Sequence, residues 1–97
     1  MPIAVPLPIA IEHLPQQRRF QAMVDAHPGV CDYLLDGTVM HLTHTEVAPE
    51  LAGRGVAAAL VQAALAHAES AGLKVNPVCS YVRAYMQRHP ETRALRA

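Results

Sequence analysis

The stretch of this chain that most narrows its fold is "HTEVAPELAGRGVAAALVQAALAHAESAG", residues 44–72, with Gly53-Arg54-Gly55 at its centre. A polar run of strand character closes at Pro49, two glycines follow, and an alanine-rich segment with helical spacing runs on to Ala71. Val56, Leu60, Ala64 and Ala68 form one stripe, Val61 and Leu65 widen it, and Gly72 suits the residue after the C-cap. "LKVNPVC" then reads as a further strand. Strand, helix and strand in succession need a crossover connection. That sets strand 74–79 parallel to strand 38–47. The alanines favour the helix and let it pack closely on a sheet.

The remaining residues supply that sheet. "RRFQAMV" puts Phe20, Ala22 and Val24 on one strand face, and Asp25 to Gly29, with Pro28, suits a turn. "GVCDYLLD" is a second strand, and Asp36-Gly37 signals a hairpin into a third, Thr38 to Val47. Ser80 is placed to cap a second helix, "SYVRAYMQRH", which His89-Pro90 ends. Residues 1–17 are proline-rich and read as a tail or extended edge segment, leaving one domain over residues 18–97. The expected order is β-β-β-α-β-α, an α+β fold on a mixed sheet.

Composition bounds the partners. Of 97 residues, 52% are hydrophobic, enough for a single core, and the formal charge of zero argues against nucleic-acid binding by bulk electrostatics. Two cysteines, Cys31 and Cys79, are too few for a disulfide framework. The apolar start lacks a basic leader, and no run approaches the ~18 apolar residues of a membrane span. The expectation is a cytoplasmic monomer or homodimer with reduced thiols and no nucleic-acid or membrane partner.

The glycine triplet admits two readings. A helix start offers unpaired N–H groups and the positive end of the dipole, glycines let an anion approach, and Arg54 adds a donor fork. Together these suit a pyrophosphate. On spacing alone a plain turn with an exposed arginine is the simpler reading. No Gly-Lys-Ser/Thr follows, so this is not a P-loop, and the three spaced glycines of a dinucleotide fingerprint are absent.

The order "THTEV", a proline, "GRGVA", an alanine-rich helix, "GLKV", "PVCSY" and "RHPE" resembles the small single-domain branch of the GNAT (GCN5-related) N-acetyltransferases, over about residues 18–91. In that superfamily the phosphate loop reads Gln/Arg-x-x-Gly-x-Gly/Ala. Gly55 and Ala57 match its last two positions, while Ala52 stands where Gln or Arg is usual, removing one polar side chain. The resemblance implies acetyl-CoA held between strands 38–47 and 74–79, splayed apart. Its pantetheine arm would pair with backbone around Thr45 and Val47, and its pyrophosphate would sit on the amides of Gly53, Arg54, Gly55, Val56, Ala57 and Ala58.

Acetyl transfer needs an amine deprotonated, a carbonyl polarised and a thiolate released. His44 and Glu46, two apart on a strand, share a face about 7 Å apart. Glu46 sits near where many GNAT enzymes keep a carboxylate base, and His44 has a pKa nearer neutrality. Either is also simply a solvated strand residue. His41 is expected on the opposite face from His44, which excludes joint chelation, and no other cluster has metal-ligand spacing. Cys79 ends a strand before a helix start, which favours the thiolate. It is a candidate acyl carrier, a pocket wall or a small buried hydrophobe. Cys31 is structural, and Tyr81 and Tyr85 suit core packing. Asn76 is a candidate to hold a carbonyl or the pantetheine, while Arg83, Arg88 and His89 are surface charge or contacts to the adenosine phosphates. The resulting expectation is an acetyl-CoA-dependent N-acetyltransferase acting on an amine, with peptide and protein amines among the candidate acceptors. The amine attacks directly, assisted by Glu46 or His44, with a Cys79 acyl-enzyme as the variant. The competing expectation is a non-catalytic module that binds CoA, acyl-CoA or a protein partner. A nucleotide-phosphate binder of another fold lacks acidic magnesium ligands near the loop.

Overall fold

The computed structural model describes residues 9–97; the part of the N-terminal reading that covers residues 1–8 lies outside them. The strands are β1 (Ile11–Leu14), β2 (Arg19–Val24), β3 (His27–Asp36), β4 (Val39–Val47) and β5 (Lys74–Pro77), and the helices are α1 (Val56–Ala71) and α2 (Ser80–Arg88). Short 3-10 turns cover Pro49–Leu51 and Pro90–Leu95. The five strands form one sheet in chain order, antiparallel from β1 to β4 and parallel between β4 and β5. The crossover through α1 therefore gives the parallel pair that the strand–helix–strand pattern predicts.

The sheet has one strand more than the sequence reading counts. Ile11–Leu14 pairs with β2 as an edge strand, and Ile11 and His13 face Ala22 and Phe20 across the ladder. The turn after β2 is also tighter than expected. It narrows to Asp25-Ala26, both at positive φ (50° and 65°), and β3 begins at His27 with Pro28 inside it. Pro28 has no N–H to give, but its carbonyl accepts from Ala48 N–H at 2.9 Å.

The core lies between the sheet and the two helices. Phe20, Ala22, Cys31, Tyr33, Met40, Leu42 and Val75 from the strands meet Val56, Leu60, Val61, Ala64, Leu65 and Ala68 of α1 and Val82, Tyr85 and Met86 of α2. Each fully buried Leu or Val side chain here contributes roughly 1.5–3 kcal/mol. Gly29 sets how closely α1 approaches. A Cβ there would lie 3.0 Å from Val56 Cγ1 and 3.2 Å from Leu60 Cδ1. The start of α1 is thus seated on β3 beside the end of β4. Gly72 closes α1 through its N–H to the Ala68 and Glu69 carbonyls.

One aromatic cluster ties β1 to α1. His13 stacks on Phe20 with centroids 4.3 Å apart, meets His67 of α1 edge-on at 4.4 Å, and shares a 2.7 Å hydrogen bond between Nε2 and Tyr33 Oη. Burial, then the nearby His67 charge, lowers the His13 pKa below its ordinary value. Among the described residues no helix is long and apolar enough to cross a membrane.

Candidate active site

The site is built where β4 and β5 part. The parallel register runs from Val39 opposite Lys74 to Leu42 opposite Pro77 and stops there. Pro77 cannot donate to the ladder, and Val78 N–H turns back to the Asn76 carbonyl at 3.0 Å. One last bond, Cys79 N–H to the Leu42 carbonyl at 2.9 Å, ties the start of α2 to β4. Strand 74–79 is therefore shorter than expected, and β4 runs on from Thr43 to Val47 with β3 alone beside it.

At that point β4 carries a bulge. The pairing with β3 steps from Asp32 opposite His44 to Tyr33 opposite Leu42, leaving Thr43 as the extra residue. Met40 and Leu42 point into the core; beyond Thr43 the exposed positions are His44 and Glu46. The bulge reverses the alternation, so His41 and His44 look out from the same face, which corrects the expectation of opposite faces. Asn76 stands opposite His41, and its Nδ2 lies 3.0 Å from His41 Nδ1. The Asn76 side chain is thus engaged on the outer face. Among the described residues no three His, Cys, Asp or Glu side chains gather as metal ligands.

The reversal also decides which amides are free. Ala48 N–H bonds to β3, so in the alternating ladder the backbones of His44 and Glu46 face β3. Those of Thr45 and Val47 face the vacated edge. The Thr45 and Val47 side chains turn toward the helices, where Val47 packs against the core. Thr45 Oγ1 lies 3.8 Å from Cys31 Sγ and 3.7 Å from Cys79 Sγ.

The two cysteines differ sharply. Cys31 is fully buried, and burial pushes its thiol up to about 11. Cys79 is the residue at the cap position of α2, one before the Ser80 expected there. Burial alone raises the Cys79 thiol. The N–H of Val82, the Thr45 hydroxyl and the N–H groups of Tyr81 and Thr45 together outweigh it, and the net direction is down. On the outer face His44 Nε2 lies 3.7 Å from Glu46 Oε1, with both side chains more than half exposed. Cys79 and the His44–Glu46 pair thus lie on opposite sides of the same strand. Tyr85 is buried and stacks on His89 at 4.1 Å, while Arg83 donates to the Val78 carbonyl at 3.1 Å.

β4 leads directly into the glycine turn. Leu51 is buried and pins the loop, with Ala52 N–H bonded to the Pro49 carbonyl and Arg54 N–H to the Leu51 carbonyl. Gly53 and Gly55 both sit at φ 77° with nothing within 4 Å of where a Cβ would be. Such a backbone suits glycine and leaves the approach open. The first helical bond is Ala59 N–H to the Gly55 carbonyl. The N–H groups of Gly53, Gly55, Val56, Ala57 and Ala58 have no backbone partner among the described residues. They gather at the start of α1, a set of donors that fits an anion. Arg54 is not the free cation the sequence suggests. Its Nη1 donates to Asp25 Oδ2 at 2.8 Å, tying the loop to the β2–β3 turn.

A mixed sheet that opens between two parallel strands, beside a glycine-capped helix start, defines this molecule as a small GNAT-type domain. The comparisons agree. The family model described as GCN5-related N-acetyl-transferase matches residues 19–95, and the chain belongs to that family. It is similar to Protein NATD1 of Mus musculus, 34% identical over 86 residues that cover 86% of this chain and 78% of that protein. The NATD1 of Gallus gallus is 33% identical over the same coverage. The solution structure of a GCN5-like protein from Staphylococcus aureus shares the fold, with a TM-score of 0.72 at 23% identity, covering 94% of this chain and 90% of that one.

Proposed function

We propose that this chain binds acetyl-CoA and transfers its acetyl group to an amine. The observation that carries the reading is two sets of backbone groups that follow one another along the chain. The Thr45 and Val47 backbones lie on the vacated edge of β4, with the Thr45 N–H turned to the Cys79 sulfur, and the chain then leads to the N–H groups of Gly53, Gly55, Val56, Ala57 and Ala58, which have no backbone partner among the described residues. The first set suits an extended amide-bearing arm that pairs like an added strand. The second suits a diphosphate.

His44 or Glu46 takes the proton from the attacking amine at the outer face: Glu46 becomes a neutral carboxylic acid if it is the base, and His44 becomes an imidazolium facing the Glu46 carboxylate if it is. As the nitrogen–carbonyl bond forms and the thioester bond breaks, the thiolate leaves with its electron pair. In the variant route the Cys79 thiolate attacks first and carries the acetyl group to the amine. The acidified thiol at the start of α2 supports that route. A second reading, a non-catalytic module that binds CoA or acyl-CoA, draws support from the loop itself. Arg54 is already neutralised by Asp25, and Ala52 offers no polar side chain.

The test is release of free thiol from acetyl-CoA in the presence of amines and peptides, for the wild type, Glu46→Gln and Cys79→Ala. Turnover that falls in Glu46→Gln and survives in Cys79→Ala selects direct transfer. Turnover lost in Cys79→Ala, with acetyl trapped on Cys79 at a competent rate, selects the acyl-enzyme. Binding of CoA with no turnover on any acceptor leaves the module.

A further inference from the structure

A groove of about 550 Å³ opens on the outer face of the sheet, lined by Gln16, Gln17, Arg18, Arg19, Asp32 and Thr43 among others. Thr43 is the bulge residue, one position past the last pairing of β4 with β5, so the groove adjoins the point where the two strands part. Its other wall is the β1–β2 turn, which is firmly built. Gln17 N–H bonds to the Leu14 carbonyl, Arg18 N–H to the Pro15 carbonyl, and Tyr33 N–H to the Arg18 carbonyl. Arg18 is held there at φ 53°.

The charges in the groove are unequal. Arg19 donates through Nε to Asp32 Oδ1 at 2.7 Å and through Nη2 to Oδ2 at 3.3 Å, so these two cancel. Arg18 is exposed and in no ion pair among the described residues. One cation thus remains, with the amides of Gln16 and Gln17 beside it and no unpaired carboxylate in the lining. Asp32 stands opposite His44 in the ladder, so Arg19, Asp32 and His44 form a row from β2 to β4. Two strand spacings, roughly 10 Å, separate Arg19 from His44, and Arg18 adjoins Arg19 at the far end of that row. The gap suits a short molecule with an anion at one end and an amine at the other.

We propose that this groove is the acceptor subsite and that it selects an amine carrying a carboxylate. Arg18 holds the carboxylate, and the amine lies toward His44 and Glu46. The proposal rests on the acetyl-transfer reading and adds the substrate class to it. A guanidinium fork is the side chain best matched to a carboxylate.

The probes are β-alanine, propylamine and 1,3-diaminopropane, three-carbon amines that end in a carboxylate, a methyl and an ammonium group. The expected order of kcat/KM falls from β-alanine to the diamine by about tenfold. Arg18→Gln should erase the advantage of β-alanine over propylamine and leave propylamine itself unchanged, while Arg18→Lys should keep part of it. Equal rates on all three, the diamine as best substrate, or an Arg18→Gln variant that slows all three alike would each overturn the proposal. A separate readout covers the case of no turnover, in which amide chemical shifts are followed while β-alanine or propylamine is added. Saturable shifts at Arg18 and Thr43 with β-alanine alone support the subsite even if acetyl transfer fails. Their absence sinks it. A free amino acid and a peptide N-terminus share this chemistry. β-Alanine set against C-terminally amidated Gly-Glu shows which source is preferred, and a preference for amidated Gly-Lys over amidated Gly-Glu contradicts the proposal.

Discussion

Up to Leu42, β4 has a strand on each side, and Met40 and Leu42 are completely buried. Past Thr43 it has a strand on one side only, and it carries His44 and Glu46 out to solvent. A single extra residue separates the two halves. The bulge lets one strand serve as core wall and as site wall without a loop between them. The paired half gives the rigidity that holds the unpaired half in register. A bulge beside a site is a recurrent way to re-aim side chains.

The comparison breaks most visibly in the paired half. Leu42→Ala should cost about 2–5 kcal/mol of stability, read as a lower denaturant midpoint. A loss below 1 kcal/mol would mean that this half is not the rigid one. In the unpaired half the signs exchange. The double variant His44→Ala/Glu46→Ala should lower kcat about a hundredfold and move stability by less than about 0.5 kcal/mol. A large loss of stability there would erase the distinction between the halves.

The cysteines sharpen the contrast, because Thr45 touches both. With Cys31 pushed up to about 11 and Cys79 shifted down, only Cys79 has appreciable thiolate near pH 8. The lower nucleophilicity of an acidified thiolate trims the advantage, so iodoacetamide should label Cys79 at least about tenfold faster, followed by mass spectrometry. Equal labelling would show that the start of α2 does not acidify its thiol. The smallest effect lies behind the paired half, at His13. Its folded pKa is lowered, so the unfolded chain takes up the proton more readily, and stability declines as pH falls through about 6.5. His13→Gln should flatten that slope between pH 7 and pH 5, as read by denaturant unfolding.

Much of this was legible in the sequence. The run from Thr38 to Cys79 announces a parallel crossover, because an alanine stripe ending at Gly72 can be little else. Thr45 and Val47 come from the family resemblance instead, and the glycine turn by its spacing alone reads as a plain turn. The bulge was not legible. After Leu42 the run "THTE" is polar at every position and carries no phase, and only pairing with β3 reveals that Thr43 is supernumerary. The expectation that His41 and His44 take opposite faces therefore fails. The Asp25–Arg54 ion pair joins residues 29 positions apart, and the Arg18 groove depends on how a turn folds back. Neither leaves a periodic trace. The edge strand did leave one, in the alternation of Ile9, Ile11 and His13, and the surrounding prolines obscured it.

The central claim is that the free edge of β4 and the start of α1 form one continuous seat for CoA. It is tested most directly by following backbone amide shifts as CoA is added to the unmodified protein. The account predicts saturable shifts concentrated at Thr45–Val47 and Gly53–Ala58, with Val39–Leu42 little changed. Absence of saturable shifts, or shifts centred elsewhere, such as the cleft between α1 and residues 90–95, would contradict it.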